Sequence, residues 1–402
     1  MIFTLLALQV IVVQPAGPVR TLTRALALVR PGDRIVVRAG RYREPAIVVG
    51  VRVEITGEPG AVLVGGAHHT LEITADSVVV RGLSFDGVTP GTTEDRAAIL
   101  LRGVRGSTIE DNEVRDAYFG IYAMRAVGCR IARNRLTGPA GAEATSGNGI
   151  HLWRSEAMVV DSNTVLRHRD GIYFEFVRGT LVRGNASTDN RRYGLHFMRS
   201  DSTRYEGNTF ARNGAGVAVM YSRWVTMTGN RFERNRGSAA YGLILKEISD
   251  SRVERNRFVE NTVGLYLDDA NRNEVSGNTF QGNGWAVRVL ANASDNRFLG
   301  NVFSGNSFDV ATNSRSGSSV FAGNWWDHYR GYDLDRDGVG DIPYRPVRLF
   351  ALVVEQSEPS LILLRSPFVD LLDAAERVMP VLTPEALADR RPLMRRPVTP
   401  SP

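Results

Sequence analysis

The sequence predicts an all-β fold, a right-handed parallel β-helix with about 22 to 23 residues per coil. An asparagine recurs along the chain, mostly every 22 or 23 residues, and a large apolar residue follows it in nearly every repeat. A glycine opens a second part of each repeat, in which apolar residues alternate with others. Period-two alternation indicates strands, and a fixed period of this length is typical of a solenoid. The asparagines are Asn112, Asn134, Asn163, Asn185, Asn208, Asn230, Asn256, Asn278, Asn301 and Asn324; the glycines are Gly120, Gly149, Gly171, Gly194, Gly216, Gly242 and Gly264, with Ala286 in the last place.

The asparagine column predicts a ladder of amide side chains at one turn of the coil. An amide carries both donors and an acceptor, so stacked asparagines can satisfy one another inside the fold. An apolar residue lies three positions before each asparagine, which predicts an inward-facing strand position. Less regular coils are predicted to begin near residue 33.

The start of the chain has two interpretations. Residues 1–17 contain an apolar run, Ile2–Leu8, which is too short to span a bilayer and resembles a secretory leader without a preceding basic residue. Alternatively, Val10–Val13 already form the first strand. Export is the prediction.

Both ends of the predicted solenoid carry helical patterns. Residues 21–29 predict a short helix over the first coil, and Ser366 with Pro367 form an N-cap and N1 pair that starts a second helix. This second helix either caps the open end of the solenoid or docks to a partner through Phe368 and Leu372. The predicted regions are 1–17, the β-helix over 18–346, the capping or docking segment 347–380 and a disordered tail over 381–402.

Charge and cysteine content exclude some classes of protein. The net charge is only +6 over 402 residues, and the absence of an Arg or Lys run argues against nucleic-acid binding. Cys129 is the single cysteine, so no disulfide forms within the chain, and it is predicted to be a small core residue.

The glycine strand predicts an unusual outward face. The first and third positions after the glycine are apolar nearly throughout and should point inward, so the second and fourth point outward. Sequence insertions precede Gly149 and Gly242, at the corner where the chain enters this strand, and they either shape a binding face or are tolerated surface variation. The outward residues include His151, Tyr173 and His196 at the second position and Met124, Trp153, Met198 and Met220 at the fourth.

Imidazole and thioether groups side by side suit Cu(I), which is a soft ion. Met198 and Met220 are predicted to lie on successive coils, with His196 on the same strand face as Met198. These three residues are predicted to supply three ligands, with His151 or Met124 serving a neighbouring position. One alternative is a partner-protein surface rich in methionine and aromatic residues, with Trp153 and Tyr173 among its contacts. Another is a face that is simply packed. A copper site and a partner-protein surface are compatible with each other in a metal-delivery protein.

Carbohydrate chemistry is the competing function, since parallel β-helices often carry polysaccharide lyases and glycosidases. Glu247 and Asp269 fall in register on adjacent coils, at a separation that could suit a retaining pair. Lys246 and Asp268 beside them favour a surface ion-pair cluster instead. The sequence therefore predicts a non-catalytic protein, with a carbohydrate-binding or polysaccharide-cleaving protein as the alternative.

A partial calcium-loop pattern follows the last coil. Asp333, Asp335, Asp337 and Asp341 match liganding positions of a twelve-residue calcium loop, while Tyr344 occupies the position that usually holds Glu. Bound calcium is one interpretation, and an Asp- and Gly-rich turn that closes the last coil is the other.

Two stretches near the C-terminus, "NWWDHYRGYDLDRDGVGDIPYRP" and "LILLRSPFVDLLDAAERVMP", carry a resemblance to a known family. Both are similar to the NosD family of periplasmic nitrous oxide reductase maturation proteins. The resemblance implies an exported β-helix protein in the periplasm that acts with an ABC transporter, comprising a permease and an ATPase subunit, and with a copper chaperone. It implies maturation of the copper centres of nitrous oxide reductase, with membrane contact only through the partner. The resemblance does not supply the copper ligands.

Overall fold

The repeat places one strand of each coil above its counterpart in the next. The computed structural model describes residues 8–91, 94–141, 143–237, 240–314, 317–364, 366–378 and 387–397. The chain divides into two compact units, Met1–Thr203 and Arg204–Pro402. Each unit contains three sheets in which parallel strands follow one another coil by coil. The predicted all-β parallel β-helix is therefore confirmed in both units.

The first unit pairs like with like across its coils. In one sheet, for example, Ile109 lies beside Ile131, and Ile131 lies beside Val160. The three sheets run β1-β2-β5-β8-β11-β14-β17-β20, β3-β6-β9-β12-β15-β18-β21 and β4-β7-β10-β13-β16-β19-β22. The bounds are β1 (Val10–Val13), β2 (Arg34–Val37), β3 (Gly40–Arg43), β4 (Ile47–Val49), β5 (Glu54–Gly57), β6 (Ala61–Val64), β7 (Leu71–Ile73), β8 (Val79–Arg81), β9 (Ser84–Val88), β10 (Ala97–Arg102), β11 (Thr108–Glu110), β12 (Glu113–Ala117), β13 (Phe119–Met124), β14 (Arg130–Ala132), β15 (Arg135–Thr137), β16 (Ile150–Trp153), β17 (Val159–Asp161), β18 (Thr164–Leu166), β19 (Asp170–Glu175), β20 (Leu181–Arg183), β21 (Ala186–Thr188) and β22 (Tyr193–Met198), with a 3-10 helix at Glu143–Thr145.

The second unit repeats the plan with aromatic core residues. Phe232, Phe258 and Phe280 stack with ring centroids 4.7 Å apart at each step, and the rings are nearly parallel. The sheets run β23-β26-β29-β32-β35-β38, β24-β27-β30-β33-β36-β39 and β25-β28-β31-β34-β37. The bounds are β23 (Arg204–Glu206), β24 (Thr209–Ala211), β25 (Ala215–Arg223), β26 (Thr226–Thr228), β27 (Arg231–Glu233), β28 (Tyr241–Ser249), β29 (Arg252–Glu254), β30 (Arg257–Val259), β31 (Val263–Asp268), β32 (Glu274–Ser276), β33 (Thr279–Gln281), β34 (Trp285–Val289), β35 (Arg297–Leu299), β36 (Val302–Ser304), β37 (Phe308–Ala311), β38 (Val320–Ala322) and β39 (Trp325–Trp326).

The predicted asparagine ladder is present in both units, at the corner between the first and second sheets. Oδ1 of Asn301 accepts hydrogen bonds from the backbone N–H of Asn278 at 2.9 Å and from its Nδ2 at 3.0 Å. Nδ2 of Asn278 also donates to the carbonyl of Val253 at 2.8 Å. Asn112 and Asn134 form the same contacts in the first unit. Because each amide serves two coils, a buried turn keeps its polar groups satisfied.

Ladders at the other two corners were not predicted. In the second unit, Asn213, Asn235, Asn261, Asn283 and Asn306 form a second asparagine ladder, each five residues after a member of the first. The third corner uses hydroxyl and thiol groups in the first unit, where Sγ of the buried Cys129 accepts from the backbone N–H of Ser107 at 3.4 Å. In the second unit the same corner includes Asn273 and Asn296, and Oδ1 of Asn296 accepts from the backbone N–H of Asn273 at 3.0 Å. The predicted core position of Cys129 is confirmed, and the thiol is also part of a polar ladder.

The N-terminal end matches the sequence pattern. Helix α1 (Leu22–Leu26) begins after Thr21, whose Oγ1 accepts from the backbone N–H of Arg24 at 3.2 Å. Strand β1 pairs with β2, as the first-strand interpretation expects. The rest of the predicted leader, residues 1–7, lies outside the described residues.

The C-terminal helices pack over strand β37. Helix α2 (Leu349–Gln356), a 3-10 helix (Glu358–Leu363) and helix α3 (Pro367–Val378) follow one another. Phe350 and Val369 join Phe308 of β37 in one hydrophobic cluster, and Leu372 packs against it. Phe368 is 43% exposed. Among the described residues, no helix combines the length and apolar character needed to cross a bilayer.

The predicted disordered tail returns to the solenoid over its described part, 387–397. Asp389 is fully buried, and its Oδ2 accepts from the backbone N–H and Nδ2 of Asn324 and from Nε1 of Trp326. It therefore takes the place of the next asparagine in the ladder. A carboxylate suits a terminal position because it accepts hydrogen bonds without presenting a donor that needs a partner. Residues 381–386 and 398–402 of the predicted tail lie outside the described residues.

Candidate functional site

A row of rings crosses four neighbouring strands of the first unit. Tyr122, His151, Tyr173 and His196 lie opposite one another on β13, β16, β19 and β22. Successive ring centroids are 4.6, 4.8 and 5.0 Å apart. This ring row forms because the residue two places after each strand glycine occupies the same position in every coil.

The predicted open face is covered at the two histidines. His151 is 7% exposed and His196 is 6% exposed. Polar side chains from the segments before the strands reach the ring row: Asn148 contacts His151, and Arg192 contacts His196. The chain that enters each strand folds over these two rings, as the alternative of a packed face expects, and the copper-site and partner-surface interpretations stay predictions.

His151 is held as a neutral ring. Its Nδ1 lies 3.2 Å from Nδ2 of Asn148, whose Oδ1 accepts from Nη2 of Arg169 at 3.2 Å. Because Asn148 donates to Nδ1, the ring proton belongs on Nε2, which is buried without a hydrogen-bond partner among the described residues. Burial, followed by the positive charge of Arg169, lowers the pKa of His151 to about 3.

His196 has a comparable arrangement with a charged neighbour. Its Nδ1 lies 3.2 Å from Nη2 of Arg192 and 3.8 Å from Oδ2 of Asp170. Asp170 is fully buried, and its Oδ1 lies 3.3 Å from Nε of Arg192. Nε2 of His196 is buried and has no hydrogen-bond partner within the described part of the chain.

Thioethers lie at both ends of the ring row. The hydroxyl of Tyr173 donates to Sδ of Met198 at 3.9 Å, and Nη1 of Arg102 donates to Sδ of Met124 at the same distance. Met124 and Trp153 pack against the cluster that includes Phe119 and Tyr122. The structure thus brings His196, Met198 and Tyr173 together, with His151 beside Tyr173.

Two predicted residues need separate placement. Met220 lies on β25 in the second unit, where it pairs with Lys246, and its predicted adjacency to Met198 stays a prediction. The ring of Trp153 is flanked by Arg154 at 4.5 Å and Arg125 at 5.5 Å. Trp153 is therefore held between guanidinium groups at the strand end.

Sequence reasoning missed the polar residues that bury the ring row. Asn148, Arg169, Asp170 and Arg192 were not singled out, nor was His168, whose two ring nitrogens are buried without a partner among the described residues. Burial, followed by the charge of Arg191, lowers the pKa of His168 to about 3. The available signal was the runs "HRDG" and "RRYG", which place charged residues within three positions before two strand glycines.

The aspartates of the calcium-like loop turn toward their own backbone. The carboxylate of Asp333 accepts from the backbone N–H groups of Asp337 and Gly338, and Oδ2 of Asp341 accepts from that of Leu334 at 2.8 Å. Ligand atoms of Asp333, Asp335 and Asp337 lie within 4.8 Å of one another. These hydrogen bonds account for a closed turn, and calcium binding stays a prediction.

The carboxylates considered for carbohydrate chemistry lie at an exposed turn. Glu247 and Asp269 both have positive φ, 50° and 49°, and both are exposed. Oδ1 of Asp269 accepts from Nδ2 of Asn271 at 3.0 Å, and Lys246 pairs with Asp268 at 3.8 Å. These contacts fit the predicted surface cluster.

Comparison with known proteins identifies the family. A family model described as "Periplasmic copper-binding protein (NosD)" matches residues 133–331. A relative from Pseudomonas aeruginosa, named probable ABC transporter binding protein NosD, is 31% identical, with 92% of this chain and 91% of the relative covered. The chain belongs to the NosD family. A relative of the same name from Stutzerimonas stutzeri is 29% identical and covers 89% of this chain and 86% of its own length.

Solved structures share the fold of this NosD-family chain at low identity. The mannuronan C-5 epimerase AlgE4 A-module of Azotobacter vinelandii has a TM-score of 0.60 at 14% identity, covering 73% of this chain and 91% of its own. The family 28 exopolygalacturonase of Yersinia enterocolitica has a TM-score of 0.58 at 12% identity, covering 79% and 78%. At such identities the likeness shows a β-helix and nothing about chemistry.

Proposed function

We propose that this chain is a periplasmic, non-catalytic accessory protein that handles Cu(I) during maturation of the copper centres of nitrous oxide reductase. Membership of the NosD family supports a copper-handling role. The names of two relatives support an association with an ABC transporter. The observation that carries the proposal is the buried Nε2 of His196, without a partner in the described structure, on the same strand face as the thioether of Met198.

The donor set fits Cu(I) as cargo. A thioether and an imidazole are soft and borderline ligands, which select Cu(I) over harder ions. His196 and Met198 supply one donor of each kind on strand β22, and His151 with Met124 would offer a neighbouring position. Burial of the ring row by Asn148 and Arg192 would keep water away from a reduced ion.

Arg192 controls whether His196 is competent as a ligand. While Arg192 donates to Nδ1, the ring proton occupies Nε2 and blocks the lone pair that a metal needs. When Arg192 withdraws, the proton can move to Nδ1, where Oδ2 of Asp170 at 3.8 Å is the nearest carboxylate. Binding of Cu(I) to His196 would therefore require the guanidinium of Arg192 to move away from the ring.

Removal of either ligand is expected to weaken Cu(I) binding. His196→Ala and Met198→Leu should each lower the affinity at least about tenfold, since each loses one donor. The measurement is titration of the purified chain against a competing Cu(I) chelator. Met227→Leu is the matched control because Met227 is a buried core methionine of the second unit. Unchanged binding in both site variants would refute the site.

Arg192→Met, measured in the same titration, tests whether Arg192 keeps the proton of His196 on Nε2. It should raise the Cu(I) affinity severalfold because the side chain keeps its length but no longer donates to Nδ1. If it lowers the affinity as much as His196→Ala does, Arg192 supports the site and does not block it.

The exposed ring of α3 is our proposed contact to the transporter. Leu372 packs inward and supports the capping role, whereas Phe368 remains 43% exposed. Phe368→Asp should reduce co-purification with the permease and ATPase subunits at least about fivefold, since it places a charge in an apolar contact. Val48→Asp, at an apolar residue of the first unit that is 51% exposed, should leave the co-purification unchanged. Equal loss in both variants, or none in either, contradicts the contact.

A further inference from the structure

A second group of ligating side chains lies at the end of the second unit, next to strand β39. Asp309 lies on β37, and Asp327 and His328 directly follow β39. One ligand atom from each of the three residues lies within 4.8 Å of the others. The carboxylate of Asp309 is 3% exposed, whereas the His328 side chain is 49% exposed. The group therefore has a buried anchor and a side that solvent can reach.

The distances suit ligands that share one ion. Nδ1 of His328 lies 2.9 Å from Oδ1 of Asp327 and 3.6 Å from Oδ2 of Asp309. Ligands bound tetrahedrally at about 2.0 to 2.1 Å would be separated by roughly 3.3 to 3.5 Å. Small side-chain adjustments would therefore bring all three atoms to bonding distance.

Neighbouring groups already orient the carboxylates. The backbone N–H of Gly305 donates to Oδ2 of Asp327, and the hydroxyl of Tyr344 donates to Oδ2 of Asp309 at 3.3 Å. Nδ2 of Asn306 donates to Oδ1 of Asp309 at 3.4 Å. Metal-binding carboxylates are typically held by such outer hydrogen bonds.

A proton on His328 does not provide hydrogen bonds to both carboxylates of this group. Oδ1 of Asp327 is buried and accepts no hydrogen bond of acceptable geometry from the described residues, although Nδ1 of His328 lies close. A single N–H on Nδ1 can point at only one of the two carboxylates, whereas one divalent cation can bind both. A hydrogen bond to Asp309 is the largest cause that raises the pKa of His328, whereas burial and, less strongly, the charge of Arg348 lower it.

We propose that Asp309, Asp327 and His328 form a binding site for a divalent transition-metal ion of the Zn²⁺ class. Two carboxylates and one imidazole are a donor set for Zn²⁺ with a fourth position left to water. Ca²⁺ requires six to eight oxygen ligands, and Cu(I) prefers sulfur, so this site differs in chemistry from the face at His196. A bound ion would join β37 to the segment after β39.

Zn²⁺ titration of the full chain against a chromophoric chelator tests the site. His328→Ala and Asp327→Asn should each weaken binding at least about tenfold. Arg348→Gln should strengthen it severalfold, because the guanidinium near His328 repels a cation. Asp335→Asn in the neighbouring acidic loop is the matched control and should leave the affinity unchanged. Co²⁺ in place of Zn²⁺ should give visible absorption that is lost in His328→Ala.

Two results would overturn the site. One is equal Zn²⁺ affinity in the original chain, His328→Ala and Asp327→Asn, which would place any bound ion elsewhere. The other is weaker binding in Asp335→Asn than in Asp327→Asn, which would assign the ion to the acidic loop. Circular dichroism of each variant verifies that lost binding does not reflect lost folding.

Discussion

Acidification from about pH 7.5 to pH 5 is expected to reduce the free energy of unfolding by several kcal/mol, largely through His151 and His168. Burial holds both rings neutral and lowers each pKa from 6.5 to about 3. Since the folded-state pKa lies below the unfolded one, the stability is present above about pH 6.5 and is lost as the pH falls toward 3. At pH 5 each histidine should lower the free energy of unfolding by about 2 kcal/mol relative to pH 7.5. Denaturant unfolding across this range measures the loss.

His168→Asn separates this effect from the titration of carboxylates. The backbone N–H of His168 donates to Oδ1 of Asn190, so an asparagine there would extend a local amide pair. The variant should lose about half of the acid-dependent destabilisation, and His151→Asn should lose the other half. A pH profile identical to that of the original chain in both variants would mean that neither ring stays neutral by burial.

Asp389→Ala is expected to lower the free energy of unfolding by about 3 kcal/mol or more. The change removes the acceptor of three buried donors, the backbone N–H and Nδ2 of Asn324 and Nε1 of Trp326. A buried donor without a partner costs about 1 to 3 kcal/mol. Equilibrium unfolding in urea, followed by circular dichroism, measures the change.

Asp389→Asn should lower the free energy of unfolding by less than Asp389→Ala does. Its amide oxygen can still accept from Asn324, but its Nδ2 would face the backbone N–H of Arg391, which now donates to Oδ1 of Asp389 at 2.9 Å. Arg390→Ala, at an exposed neighbour, should change stability by less than about 0.5 kcal/mol. If Asp389→Ala is as mild as Arg390→Ala, the tail does not cap the ladder.

The repeat made the solenoid and its first ladder predictable. The period of the asparagines and the alternation after each glycine specify which residues stack, because a parallel coil repeats every contact one turn later. The second asparagine ladder was available from the same pattern, five residues after the first, in Asn235, Asn261 and Asn283. Asp389 was beyond such reasoning, since it lies 65 residues from Asn324 and belongs to no repeat.

The sequence by itself determined the coil, the core columns and the outward column of histidine, tyrosine and methionine, because these depend on local periodicity. Only the tertiary structure decided that the two histidines of this column are buried, since Asn148, held by Arg169, and Arg192 reach them from the chain before each strand. It likewise placed a donor side chain beside Nδ1 of His151 and of His196, which the spacing of the repeat does not reveal. It also brought Asp309 to His328, because the site joins a strand to a segment one coil later, and spacing alone does not reveal which side chains converge there.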